Sequence, residues 1–177
     1  IPTINFIHRF STSDGSYKVL QWTASPEPAT GNIFAIGRDI SVEREKELKL
    51  KESEEKLRVF FENSQGLMCT HDLDGNFLSV NASGAEILGY TVGEITSMNL
   101  FDIVPSKAHN EVHAYLELIK EKGKAKGQMF TRHKNGSIHS WLFNNVLEKS
   151  NLDSTYYVIG NAIDITSRAL LEEDLKE

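Results

Sequence analysis

The residues of this chain best suited to proton transfer, metal ligation or covalent chemistry are its six histidines and single cysteine. Cys69 has no second thiol to pair with, which excludes an intrachain disulfide and a cysteine-based zinc site. The histidines are scattered. Pairing strands about the turn at Asn135-Gly136 sets His133 opposite Ile138, so His133 and His139 are expected on opposite faces, and no metal-ligand cluster assembles. Alternation along a strand from Leu67 sends Leu67, Cys69 and His71 to one face. A buried imidazole there has two uses: hydrogen bonding to a small ligand or switching with pH, or simple satisfaction by a backbone carbonyl or neighbouring side chain. Cys69 reads as a small buried hydrophobe, since nothing basic is expected near enough to activate it. No nucleophile–base pair, phosphate-cradling glycine loop or paired carboxylates can be assembled, so no catalysis is expected within these residues.

The elements that position these groups follow from a chain of 177 residues, enough for one ordinary domain and part of a second. With 19 basic against 25 acidic residues the formal charge is −6, which leaves no Lys/Arg excess for a general nucleic-acid surface. No apolar run approaches the roughly 18 residues a membrane helix needs. The cysteine usage suits a reducing, cytoplasmic setting. The chain opens at Ile1 within strand-like sequence, which predicts a piece of a longer polypeptide.

An internal repeat organises the chain. The turn Ser13-Asp14-Gly15-Ser16 and the following Tyr17 to Trp22 correspond to Lys134-Asn135-Gly136-Ser137 and Ile138 to Phe143. Further on, Ala35-Ile36-Gly37-Arg38-Asp39-Ile40-Ser41 corresponds to Gly160-Asn161-Ala162-Ile163-Asp164-Ile165-Thr166. The second copy is four residues longer between these landmarks, an insertion expected in its loop. Asp-Gly and Asn-Gly predict type I′ hairpins. Residues 1–40 therefore read as the C-terminal strands of a unit whose remainder is missing. Alone they would be marginal, and need the complete unit, a second chain or partial disorder. Residues 41–62, free of Gly and Pro and opened by a cap candidate in Ser41, predict a linker helix. Leu50, Leu57 and Phe60 or Phe61 step by seven and then three or four, which suits either a short parallel coiled coil or a solvated amphipathic linker.

Residues 63–166 predict the complete unit. Strands at Leu67–Leu73 and Asn76–Val80 flank an Asp74-Gly75 turn. Asn81 caps a helix over Ala82–Leu88 that stops at Gly89, short helical pieces follow, and a longer helix runs from about Lys107 to Lys122. Strands at 128–134, 138–148 and 155–165 complete an α+β arrangement.

The runs Asp72-Leu73-Asp74-Gly75-Asn76-Phe77-Leu78-Ser79-Val80-Asn81, Leu88-Gly89-Tyr90, His133-Lys134-Asn135-Gly136-Ser137, Tyr157-Val158-Ile159-Gly160 and Asp164-Ile165-Thr166, in this order, resemble a bacterial PAS domain over residues 54–167. The resemblance implies a five-stranded antiparallel sheet of order 2-1-5-4-3 with helices on one face and a small cavity between them. Cys69, His71, Met129, Thr131, Trp141, Phe143, Tyr156, Val158 and Ala162 become the cavity candidates. The large side chains among them favour a filled core, whereas His71 with Thr131 and Asn145 favours a polar ligand contact. Asp164, Ile165 and Thr166 would couple the sheet to an outgoing helix over 167–177, as Asp39, Ile40 and Ser41 would in the first copy.

Cofactors of similar domains are tested against the residues. A flavin-reactive Cys is missing from Ser97-Met98-Asn99-Leu100-Phe101. The flavin's polar contacts would fall on Thr131, Trp141 and Ala162, the last without a side-chain hydrogen bond, so flavin is not expected. Ser106 follows Pro105 where photoactive yellow protein carries its chromophore on Cys. Haem sensors of this fold use a His on the long helix, which offers His113, beside Val112 and Leu116, or His109; the alternative is a pair of surface imidazoles. The resemblance implies a sensory or relay module of a signalling protein such as a histidine kinase, acting on an output domain outside these residues. The competing reading is a ligand-free scaffold, a homodimer through the helices at 42–62 and 167–177.

Overall fold

The computed structural model describes residues 4–168, and the chain divides into two compact units, residues 1–57 and 58–177. The first holds strands β1 (Ile4–Ser11), β2 (Tyr17–Pro26) and β3 (Ile33–Asp39), antiparallel in the order β1-β2-β3. Phe6 and Phe10 gather around Trp22, whose ring covers Gly37 so closely that a Cβ there would collide with it. No residue of 4–57 is buried.

Helix α1 (Ser41–Glu62) has no buried residue. Leu50, Leu57 and Phe60 are exposed and Phe61 is half-buried. Its polar face carries the ion pairs Lys49–Glu45 and Lys56–Glu52, each one helical turn apart and fully solvated, so neither adds much stability. Ser41 is not the expected N-cap. Its hydroxyl turns back, donating to Asp39 and accepting from Val19 N.

In the second unit, β4 (Leu67–His71), β5 (Phe77–Val80), β6 (Lys124–Arg132), β7 (Ile138–Lys149) and β8 (Tyr156–Asp164) form one antiparallel sheet in the order β5-β4-β8-β7-β6. This is the expected 2-1-5-4-3 order, with the last strand in the middle. Over one face lie α2 (Ala82–Leu88), α3 (Val92–Ile95), α4 (Leu100–Ile103), a 3-10 turn at Ser106–Ala108 and α5 (His109–Lys122). Thr91 with Glu94 and Asn99 with Asp102 form capping boxes that start α3 and α4. The core, including Leu88, Ile95, Ile103, Val112, Ile119, Trp141 and Val158, lies between this layer and the inner sheet face. Strand β6 starts directly after Gly123, four residues earlier than expected, because Leu147 N reaches Gly123 O at 2.8 Å and extends the ladder. Helical residues 166–168 follow β8, and the rest of the expected outgoing helix to Glu177 lies outside the described residues.

Two expectations about the hairpins are corrected. The turns at Thr12–Ser16 and His133–Ser137 are not type I′. In each, Gly N donates to the residue three back and only the glycine, Gly15 or Gly136, has positive φ. Asp14 and Asn135 instead stay at negative φ and accept the N–H of Ser16 and Ser137 through their side chains. An Asx side chain plus one left-handed glycine gives a three-residue loop. This shifts the ladder by one, pairing Thr131 with His139 and Arg132 with Ile138. His133 and His139 consequently share a face, with rings stacked at 5.5 Å. The four additional residues of the second copy lengthen its arms: β7 has 12 residues against 10 in β2, and β8 has 9 against 7 in β3. The loops at 27–32 and 150–155 are equally long.

Candidate functional site

Strand parity aims Cys69 and His71 of β4, Met129 and Thr131 of β6, Trp141 and Phe143 of β7 and Ala162 of β8 into one hollow of about 50 Å³. Leu100, Ile103 and Val104 close it from the helical side. Val158 is fully buried but outside the lining. Tyr156 shares its parity yet starts β8 beyond the helical cover. It is 49% exposed and lies under the Lys149 ammonium, so it is not a cavity residue.

The polar groups of the hollow form a closed chain. His71 Nδ1 lies 2.7 Å from Asp72 O, a carbonyl that can only accept, so Nδ1 carries the proton. His71 Nε2 then accepts from Tyr115 Oη at 2.7 Å, and Tyr115 Oη in turn accepts from Asn145 Nδ2 at 2.7 Å. Asn145 Oδ1 receives Asn161 N at 3.2 Å. Across the hollow, Trp141 Nε1 donates to Thr131 Oγ1 at 2.7 Å. Both ring nitrogens of His71 are thus satisfied within the protein, by a carbonyl and a neighbouring side chain. Tyr115 was visible only as an inward helix position and Asn145 only as an inward neighbour of His71, since the Tyr115–His71 and Asn145–Tyr115 contacts span 44 residues and 30 residues of sequence.

Burial holds the His71 imidazole below its ordinary value, despite the opposing pull of Asp72. Burial likewise pushes the Tyr115 phenol up and the Cys69 thiol up to about 12, leaving Cys69 a neutral apolar wall. The folded protein thus binds fewer protons at His71 than the unfolded chain does. Stability from this group is complete above the unfolded value near 6.5 and falls as pH drops below it. Urea midpoints measured between about pH 5 and 7 are expected to fall on acidification, with a smaller slope in His71→Gln. An unchanged slope would remove His71 as its source.

A hollow of this size holds a water molecule or a comparably small species, far short of the roughly 300 Å³ of a typical cofactor pocket. Flavin does not fit, because so small a hollow, lined in part by the bulky Trp141, leaves no room for its ring system. Haem does not fit either. His109 Nε2 is held by Phe101 O and Val104 O, and His113 is exposed against the Phe101 ring. One position beyond Val112 rotates a side chain about 100° around the helix, which takes His113 off the buried stripe. No grouping of three or more potential metal ligands exists among the described residues.

At the exit of β8, Asp164 Oδ1 accepts Thr166 N at 2.8 Å and the Thr166 hydroxyl, while Oδ2 lies 2.7 Å from His139 Nδ1. Thr166 Oγ1 accepts Ser140 N at 2.9 Å, and Ile165 N donates to Ser140 O at 2.8 Å. Burial pushes the Asp164 carboxyl up, but the Thr166 and His139 hydrogen bonds outweigh it and hold the group below the ordinary carboxylate value. The central strand is thereby locked to its neighbour and to the first helical residues.

One antiparallel sheet whose middle strand leads directly into a helix, with a helical layer enclosing a hollow, defines a two-layer α+β module. A family model for the PAS fold matches residues 55–165, and the chain belongs to the PAS family. It is 23% identical over 161 residues to sporulation kinase E of Bacillus subtilis, covering 91% of this chain and 21% of that kinase. The chain therefore spans about a fifth of that relative. The PAS domain of an HTR-like protein from Haloarcula marismortui superposes with a TM-score of 0.60 at 21% identity, covering 69% of this chain and 99% of that one. A PAS domain from a two-component sensor histidine kinase gives 0.55 at 18% identity, covering 67% of this chain and 98% of the other. No helix among the described residues is long and apolar enough to cross a membrane.

Proposed function

We propose that residues 63–166 are a sensory relay unit of a cytoplasmic bacterial signalling protein, of the sensor histidine kinase kind, that passes a conformational change to an output domain. In this reading residues 1–40 are the C-terminal strands of an upstream copy, 41–62 the linker helix and 167–177 the start of the outgoing helix. Leu50, Leu57, Phe60 and Phe61 then meet a second chain. The observation that carries the reading is the joint at Asp164, Ile165 and Thr166, where the central strand and the following helix share hydrogen bonds. Any shift of β8 moves the helix start, and a few kcal/mol of differential interaction suffices for two-state coupling of this kind.

Ligand sensing is the second reading, supported by His71, Tyr115 and Asn145 facing a hollow with space for a water-sized guest. Native mass spectrometry of protein from its original host separates the two. A dimer without a small molecule supports relay alone, and a stoichiometric guest supports sensing. Thr166→Val, which orphans Ser140 N, is expected to change output of the full-length protein several-fold without removing the PAS fold by circular dichroism. Unchanged output would end the relay reading.

A further inference from the structure

The strand-to-helix joint occurs twice in this chain, built from the same atoms. In the first copy Asp39 Oδ1 accepts Ser41 N at 3.0 Å and Ser41 Oγ at 2.7 Å. Val19 N donates to Ser41 Oγ at 2.8 Å, and Ile40 N to Val19 O at 2.9 Å. Each bond has its counterpart around Asp164, Thr166, Ser140 and Ile165. The second carboxylate oxygen has a partner in both copies as well: Lys18 Nζ lies 2.8 Å from Asp39 Oδ2, and His139 Nδ1 lies 2.7 Å from Asp164 Oδ2. Lys18 and His139 occupy the same place in the repeat, three residues after the turn glycine.

We propose that His139 makes the second joint a proton-sensitive form of the first, tightening the hold on the helix start when the imidazole is charged. Lysine keeps its charge across the physiological range, whereas imidazole changes charge between about pH 5 and 8. Asp39 reinforces this by raising Lys18 above its ordinary value. The second joint is also the better shielded: His139 and Asp164 are 22% and 23% exposed, against 55% and 41% for Lys18 and Asp39. A change of charge there is less screened by solvent.

The neighbours allow the proton to arrive. The carboxylate only accepts, so the neutral ring carries its proton on Nδ1 and presents a bare Nε2. Ser137 Oγ, 3.4 Å from Nε2, already donates to Asn135 Oδ1 and retains lone pairs for an incoming Nε2–H. The titratable groups facing His139 are Asp164 from β8 and His133 from the end of β6. His133 Nδ1 accepts Asn135 N at 3.0 Å. Thr131, opposite on β6, is neutral, and Arg132 alternates to the other face. Lys134 is engaged by Glu94 at 2.6 Å.

The inference rests on the relay reading for its biological meaning, but its test does not depend on output. Two-dimensional NMR of the whole chain from about pH 5 to 8 is expected to show the amides of Ser140, Ile165 and Thr166 moving on one curve with the His139 ring, while those of Val19, Ile40 and Ser41 stay still. His139→Lys should freeze the three signals near their acid-end positions, His139→Gln near their alkaline-end positions, and His133→Gln should leave the curve in place. Static amides while the His139 ring titrates, movement that survives both His139 substitutions, or movement abolished by His133→Gln would each overturn the proposal. Should the amides titrate while Thr166→Val leaves output unchanged, the latch stands and the relay reading falls. The reverse pair of results removes only the latch.

Discussion

Replacing Trp141 with alanine is expected to destabilise the PAS unit by about 3–5 kcal/mol, the cost of emptying a large aromatic site in a packed core. The side chain is 2% exposed, lines the hollow, and is tied at Nε1 to Thr131 Oγ1. Its loss would join the space it vacates to the existing 50 Å³. The helical layer cannot close this gap easily, because α4 is fixed by its capping box and the residues leading into it are tied to β5 through Phe77 N to Met98 O. Urea unfolding followed by far-UV circular dichroism gives the number, and an unchanged m-value shows that the denatured state is not the cause. Trp141→Phe keeps most of the volume and should cost less than half as much. An enlarged apolar hollow also binds small apolar solutes, so benzene should raise the midpoint of Trp141→Ala and leave the original protein unaffected. A loss under about 1 kcal/mol would mean that the indole is not what fills the hollow.

How much of this was legible in the sequence depended on the range of the cause. Turn residues and alternation placed the strands along the chain, while their order in the sheet and the face that borders the cavity came from the resemblance to PAS domains, with strand parity then selecting most cavity residues. Tyr156 failed because parity assigns a face but not the extent of the helical cover. His113 failed because adjacency to Val112 suggests proximity where a helix delivers rotation. The stacking of His133 on His139 was missed for a smaller reason: an Asn-Gly pair allows two turn geometries, and one residue of register inverts every face beyond it. The His71–Tyr115–Asn145 chain and the His139–Asp164 contact join residues 25 to 44 positions apart, where local rules have no reach. The repeat could have exposed the second of these, since Lys18 and Asp39 stand at the same two places as His139 and Asp164.

Asn81 is the residue whose removal should cost most for its size. The sequence marks it as a helix cap, and its Oδ1 does accept Gly84 N at 3.2 Å. The same oxygen also accepts Met68 N at 2.9 Å, while Nδ2 donates to Gly66 O at 3.0 Å and to Ser64 O at 3.4 Å. One fully buried amide thus joins the segment between α1 and β4, the first turn of α2 and the start of β4. A cap alone is worth about 1 kcal/mol, and each buried group left unpaired adds about 1–3 kcal/mol. Asn81→Ala should therefore lose at least about 3 kcal/mol in urea unfolding, beyond the usual range for a cap. Asn81→Asp keeps both accepted bonds but turns a second oxygen toward the carbonyls of Gly66 and Ser64, and should recover little. In hydrogen exchange, the amides of Met68 and Gly84 should lose protection together in the alanine variant, because they share one acceptor. Loss confined to Gly84, with a cost near 1 kcal/mol, would reduce Asn81 to an ordinary cap and leave the segment between α1 and β4 without its central tie.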